Sequence, residues 1–245
     1  MHYLDEGQGH PIVMVHGNPT WSYYYRNLVR ALSPNHRCIV PDHIGCGLSD
    51  KPQPPKYGYS LAERVADLKS LMAHLGVREK ITLVVHDWGG MIGLAWAKDL
   101  PIGSIERLVI LNTAGFGLPE GAPFPWRLWL GRNTRLGSWM IRSRNAFCLH
   151  AANIGTKRKK LDPEVRENLL KPYQTWEDRI AVLKFVQTIP LSPKDAGWEI
   201  VQSTKDSLTR YRETPTQIFW GMKDFVFTPA FLNEWRKHLP NAVVK

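Results

Sequence analysis

An aspartate stands where an apolar run meets a helix-like one in Ile81-Thr-Leu-Val-Val-His86-Asp87-Trp88-Gly89-Gly90-Met-Ile-Gly93-Leu-Ala-Trp-Ala97. A strained strand-to-helix turn exposes the side chain that occupies it, and small residues such as Gly89, Gly90 and Gly93 let helix and strand approach. Turns of this kind usually carry a serine nucleophile; here the position is Asp87. A carboxylate is already ionised at neutral pH, attacks without a base, and is favoured by the N-terminus of the following helix. Such a nucleophile suits displacement at saturated carbon. The competing role for Asp87, an ordinary helix N-cap, leaves the flanking glycines unexplained.

A second motif, Val15-His16-Gly17-Asn18-Pro19-Thr20-Trp21, directly follows another apolar run. A loop there can offer one backbone N–H to a developing oxyanion, and the residue after the nucleophile can offer the other. That nominates Asn18 and Trp88. Their side chains, an amide and an indole N–H, are neutral donors able to hold a departing anion without quenching Asp87. Asp224 closes the run Gln217-Ile-Phe-Trp-Gly-Met-Lys-Asp, where the order nucleophile, acid, histidine expects the acid.

The elements that must position these groups are short apolar runs with helical stretches between them: Ile12 to His16, Cys38 to Pro41, Ile81 to Val85, Leu108 to Leu111 and Gln217 to Trp220. Strands without polar alternation are buried on both faces, and strands alternating with helices imply parallel βαβ units, so the chain reads as α/β. Between the fourth and fifth runs, residues 118–204 contain no strand-like run and read as an inserted helical cap, flanked by a core of 1–117 and 205–245. Five of the ten tryptophans (Trp126, Trp129, Trp139, Trp176, Trp198) fall there. They are expected either to line an apolar cavity or to pack inside the cap.

With 245 residues, 43% hydrophobic and 22% charged, the chain has the composition of a soluble globular protein, and no apolar run approaches a membrane span. Cys38, Cys46 and Cys148 are an odd number without metal-ligand spacing, so neither a disulfide framework nor a zinc site is indicated and a cytoplasmic setting is the default. The N-terminus lacks the basic and apolar regions of a signal peptide. The net charge of +10 is uneven: eleven Lys and Arg face four Asp and Glu between Leu118 and Pro172. No nucleic-acid motif accompanies it. The excess reads as a solvated helical face, or as a basic cap, with Lys157 to Lys160 in it, that docks onto an acidic protein partner or an anionic membrane surface.

The chain resembles the haloalkane dehalogenase family of α/β hydrolases along nearly its whole length. That resemblance implies a mostly parallel sheet with a helical cap, no metal or organic cofactor, and a covalent ester on Asp87. Epoxide hydrolases share the Asp-Trp-Gly-Gly elbow but usually carry an aromatic where Asn18 stands. Within the family, the segments Asn18 to Arg26, Pro41 to Pro52, Trp176 to Leu191 and Gly221 to Phe227 most resemble the β-lactone decarboxylases of bacterial long-chain olefin biosynthesis. The implied substrate is then a small apolar molecule, an alkyl halide or a long-chain β-lactone. Some dehalogenases carry their acid after the preceding strand, a place that Asn112 fills here, which leaves Asp224.

The triad histidine is not evident. After Asp224 only His238 follows, in a helical-looking stretch, and Asn241 to Lys245 reads as the start of the last strand. His86 adjoins Asp87 on a strand whose neighbours point to opposite faces, and His16, His43, His74 and His150 are expected in loop or surface roles. The resemblance also implies strands before Tyr3, so the chain is expected to be clipped at both ends, with its base beyond Lys245. An alkyl halide would then be trapped on Asp87 without turnover. The alternative is a non-catalytic binding module of the same fold.

Overall fold

The computed structural model describes residues 1–156 and 159–245; Lys157 and Arg158, part of the expected basic docking surface, lie outside the described residues. Among the described residues, β1 (Tyr3–Glu6), β2 (Pro11–Val15), β3 (Arg37–Pro41), β4 (Ile81–Asp87), β5 (Ile105–Thr113), β6 (Thr216–Phe219) and β7 (Val243–Val244) form one sheet in the order β1-β3-β2-β4-β5-β6-β7. Only β1 runs antiparallel, against β3. All five apolar runs become strands; alternate residues of β2 to β5 feed two separate cores, whereas β6 buries Thr216 and Ile218 and leaves Gln217 and Phe219 exposed. Val13, Val15, Leu83 and Val85 face one side, whereas Ile12, Met14 and Val84 face the other with Tyr25. Continuous Val/Ile/Leu runs follow from burial on both faces.

The crossovers are α1 (Arg26–Leu32), α2 (Leu61–His74) and α3 (Trp88–Ala97). A capping box starts α2: Ser60 Oγ accepts from the Glu63 N–H, and Glu63 Oε2 accepts from the Ser60 N–H at 2.8 Å. Between β5 and β6 lie α4 (Trp126–Asn133), α5 (Arg135–Arg144), α6 (Ala146–Ile154), α7 (Pro163–Leu170), α8 (Ile180–Gln187) and α9 (Trp198–Ser207). They build a second apolar cluster around Leu128, Ile141, Cys148, Tyr173 and Val186. The joint between the two layers is α8, whose Ile180, Ala181 and Phe185 face the main core while Val182, Leu183 and Val186 face the second cluster. Val201 of α9 packs in the main core.

None of the five tryptophans of this insertion lines the cavity beside Asp87, and four of them do not pack inside it. Trp126, Trp129, Trp139 and Trp176 are 65%, 54%, 47% and 41% exposed, and Trp198 is half-buried. The inner positions of α4 and α5 go to Leu128, Gly131, Gly137 and Ile141. A Cβ on Gly137 would lie 2.2 Å from the Leu130 carbonyl oxygen, so the helices meet too closely to admit an indole between them.

After β6, α10 (Pro229–His238) packs back across the sheet. Its Trp235 is fully buried and donates from Nε1 to the Thr113 carbonyl at 2.8 Å, which anchors the C-terminal end of β5. Trp235→Phe leaves that buried carbonyl without its donor and a gap beside Phe116. Urea unfolding should show a loss of about 2–3 kcal/mol.

Candidate active site

Asp87 ends β4 with φ 53° and ψ −127°. Backbone of this kind costs on the order of 1–3 kcal/mol for a residue with a side chain and persists only where neighbours enforce it. They do: Thr113 Oγ1 donates to the Asp87 carbonyl, and the β4–β5 register pairs the two residues past an irregularity at His86/Asp87. A Cβ on Gly90 would lie 2.0 Å from Thr113 Oγ1, and one on Gly17 would lie 2.1 Å from Asp87 Oδ1. Glycine at both positions is therefore a steric condition of the turn.

The Asp87 carboxylate accepts the Asn18 backbone N–H at 2.7 Å and the Trp88 backbone N–H. The two predicted main-chain donors thus grip Asp87 itself. Asn18 Nδ2 donates to the Val182 carbonyl of α8 at 3.2 Å, while Oδ1 is buried with no hydrogen-bond partner among the described residues. The Trp88 ring lies against Phe185, 5.4 Å between centroids. Asp224, in the turn after β6, accepts from the Val226 and Phe227 N–H groups at 2.8 and 3.1 Å and from the Asn112 side chain.

Burial pushes the Asp87 carboxyl up to about 6, against the pull of its two N–H donors, and the nearby Asp224 charge adds to the rise. Burial likewise raises Asp224, whose donors oppose it. Asp87, Asn18, Trp88 and Asp224 all line one cavity of about 1410 Å³, whose farther walls include Leu128, Phe147, Leu170, Val186 and Phe227. Such a volume exceeds the roughly 300–1,000 Å³ usual for small-molecule sites. Asp87 is half-buried overall, and this cavity gives it access.

Four neighbours of the site escaped the sequence reading. His16 and His43, expected in loop or surface roles, are buried at 0% and 1% exposure with rings 4.5 Å apart. His16 Nε2 accepts the His43 N–H at 3.1 Å, His16 Nδ1 donates to the Gly17 carbonyl at 2.8 Å, and His43 Nε2 donates to the His16 carbonyl at 3.0 Å. This fixes both as neutral tautomers bracing the loop that presents the Asn18 N–H. Asn112 clamps Gly221 at two points, accepting its N–H at 2.7 Å and donating to its carbonyl at 3.2 Å, so it positions the Asp224 turn in addition to contacting Asp224. Arg64 of α2 is 1% exposed, lies 3.6 Å from the Phe185 ring centroid and donates to Thr188 Oγ1 at 3.3 Å. Its Nε and Nη2 lack hydrogen-bond partners among the described residues. Of the remaining histidines, His74 is exposed on α2, His150 packs by Phe225, and His238 stacks on Phe116 in α10.

A family model described as the alpha/beta hydrolase fold matches residues 10–245. The chain belongs to that family. Within it, the chain is 52% identical over 244 residues to a cis-3-alkyl-4-alkyloxetan-2-one decarboxylase of Shewanella oneidensis, covering 100% of this chain and 76% of that protein. The enzyme of the same name from Xanthomonas campestris is 47% identical, covering 100% of this chain and 83% of its own length. A haloalkane dehalogenase of Mycobacterium marinum is 35% identical, with 99% and 78% covered. The crystal structure of an ancestral haloalkane dehalogenase superposes with a TM-score of 0.86 at 25% identity, covering 99% of this chain and 85% of that one.

His86, whose ring stacks on Tyr24 at 4.4 Å, is pushed by burial down to about 4, and burial also lowers His16 and His43. The unfolded chain binds these protons near pH 6.5 and the folded chain does not, so their contribution to stability is lost as pH falls from about 6.5 toward 4. The raised Asp87 and Asp224 act in the opposite sense. His86→Asn should reduce the slope of unfolding free energy against pH by up to about 1.4 kcal/mol per unit in that window, measured by denaturant titration.

Proposed function

We propose that this chain opens long-chain cis-β-lactones through a covalent ester on Asp87 and releases an olefin and carbon dioxide. The observation that carries the reading is the Asp87 carboxylate itself: gripped by two main-chain N–H groups, set at a strained turn, and facing a large apolar cavity. The identity to relatives named as oxetan-2-one decarboxylases, an oxetan-2-one being a β-lactone, supports it.

Asp87 Oδ attacks the saturated ring carbon bonded to the ring oxygen, not the carbonyl carbon. That carbon–oxygen bond breaks, and its electron pair leaves on the substrate's own carboxylate. The bond between this carboxylate and the neighbouring carbon then breaks, its electrons form the carbon–carbon double bond, and Asp87 departs as a carboxylate. Carbon dioxide and an alkene are the only products, and no proton or water is consumed. The Asn18 amide and Trp88 indole receive the nascent carboxylate; Asp224 and its clamp Asn112 shape the far side of the site. Residues 118–204 act as the cap over the cavity, with 1–117 and 205–245 as the core. The three cysteines are buried and free, which suits a cytoplasmic setting.

The dehalogenase reading shares the same first step, and the 35% identity to a named haloalkane dehalogenase favours it as the second choice. With an alkyl halide, Asp87 displaces halide and becomes an ester that persists until water cleaves it. Incubation with a long-chain cis-β-lactone should yield olefin by gas chromatography, and Asp87→Asn should lower that rate by at least about 10³-fold. An unchanged rate in the variant removes Asp87 from the mechanism; halide release without lactone turnover selects the second reading.

Only the ionised carboxylate attacks. With Asp87 near 6, the rate should rise through pH 6 and level off above about 7, and a pH–rate profile flat from 5 to 8 would contradict the assignment.

A further inference from the structure

The outer faces of α4 and α5 are unlike the rest of the surface. On α5, Leu136, Trp139 and Met140 are 60%, 47% and 37% exposed at helical spacing, and on α4 Trp126 and Trp129 project outward one turn apart. Residues 126–144 contain five arginines and no acidic residue. Arg127 lies over the Trp126 ring at 4.8 Å and Arg144 over Trp139 at 5.6 Å, and Arg142 lies over the neighbouring Trp176 at 4.2 Å. Arg132 is paired with Asp195, and Glu177 is the acid near Arg142. No ion pair joins Arg127, Arg135 or Arg144 to an acid among the described residues.

We propose that this face of α4 and α5 is a membrane-contact surface that rests on anionic lipid bilayers. Indoles with adjacent guanidinium groups suit the headgroup boundary, where one end of the side chain meets acyl chains and the other meets phosphate. Contiguous exposed apolar groups mark an interaction site, and the uncompensated positive charge selects a negative one. Residues 126–144 hold five arginines and no acid, so the charge of the face is complementary to a uniformly anionic surface. Among the described residues, no helix is long and apolar enough to cross a membrane, so the contact is peripheral.

The placement also bears on the cavity. Leu128 lines it, while Trp126 and Trp129 on either side of Leu128 face out, so α4 is a wall one helix thick between bilayer and cavity. The Lys157 to Lys160 part of the expected basic docking surface falls partly on residues outside the description, and Lys159 is held near Asp162 at 3.6 Å. The membrane face proposed here is the α4 and α5 part of the basic stretch, apart from Lys157 to Lys160, and stands without the proposed activity.

Co-sedimentation with vesicles of phosphatidylcholine, with and without about 30% phosphatidylglycerol, tests it. The chain should partition onto the anionic vesicles and be released by high salt. Each of Arg135→Gln and Arg144→Gln should lower partitioning about fivefold, corresponding to about 1 kcal/mol per surface cation. Trp129→Ser with Trp139→Ser should lower it on the order of tenfold. These side chains are exposed, and unchanged circular dichroism confirms that the variants fold. Failure to bind anionic vesicles, binding indifferent to both sets of substitutions, or binding to soluble polyglutamate in place of vesicles would each overturn the proposal.

Discussion

The hydrogen bond from the Asn18 N–H to Asp87 Oδ1 is the contact on which the site depends. It requires the main chain after β2 to pass within touching distance of the side chain at the end of β4. Parallel pairing of Val15 with Val85 brings the two strand ends level. Glycine at 17 removes the Cβ that would otherwise occupy the carboxylate's own position, and the buried His16–His43 pair holds the Gly17 carbonyl on the far side. A carboxylate taken out of water is costly unless donors replace the water. Here two backbone amides do so in part, and burial still raises its proton affinity.

Much of this was legible in the sequence because it is governed by local rules. Short apolar runs without alternation read as strands, four of the five being buried on both faces and β6 on one alone, and an acid followed by Trp-Gly-Gly at the end of one of them reads as a tight turn. What escaped notice depends on how distant segments meet. His16 and His43 are 27 residues apart and look like loop residues until the topology stacks them. Asn112 fills a place where an acid could stand, and its amide has a donor and an acceptor side by side, matched to a backbone N–H and carbonyl 109 residues away. Arg64 shares the inward stripe of α2 with Leu61, Leu68 and Met72, so helical spacing points it inside, but nothing local signals that Phe185 of α8 covers it. The cap tryptophans failed in the opposite direction: large apolar side chains are expected inside, yet two glycines at the α4–α5 contact leave no room for them.

Arg64 and Phe185 show how the cap and the core share one interior. The guanidinium lies over the Phe185 face, and the same ring touches Trp88 and His43. Such a buried cation is tolerated because an aromatic face offers partial compensation. Burial lowers its proton affinity to about 10, still far above neutrality, so the charge persists beside the site.

The bond between Asn18 Nδ2 and the Val182 carbonyl gives α8 a mechanical role. An amide nitrogen carries two hydrogens, and one of them is committed to α8. Turning the amide to re-aim the other would break that bond, so the direction of the remaining hydrogen is set by where α8 lies. A donor that need not reorient as charge develops avoids the reorganisation that a solvent-like donor would require. The orientation of Asn18 and the seating of α8 are in that sense a single coordinate: displacing α8 by even the length of a hydrogen bond would detune the site without touching Asp87.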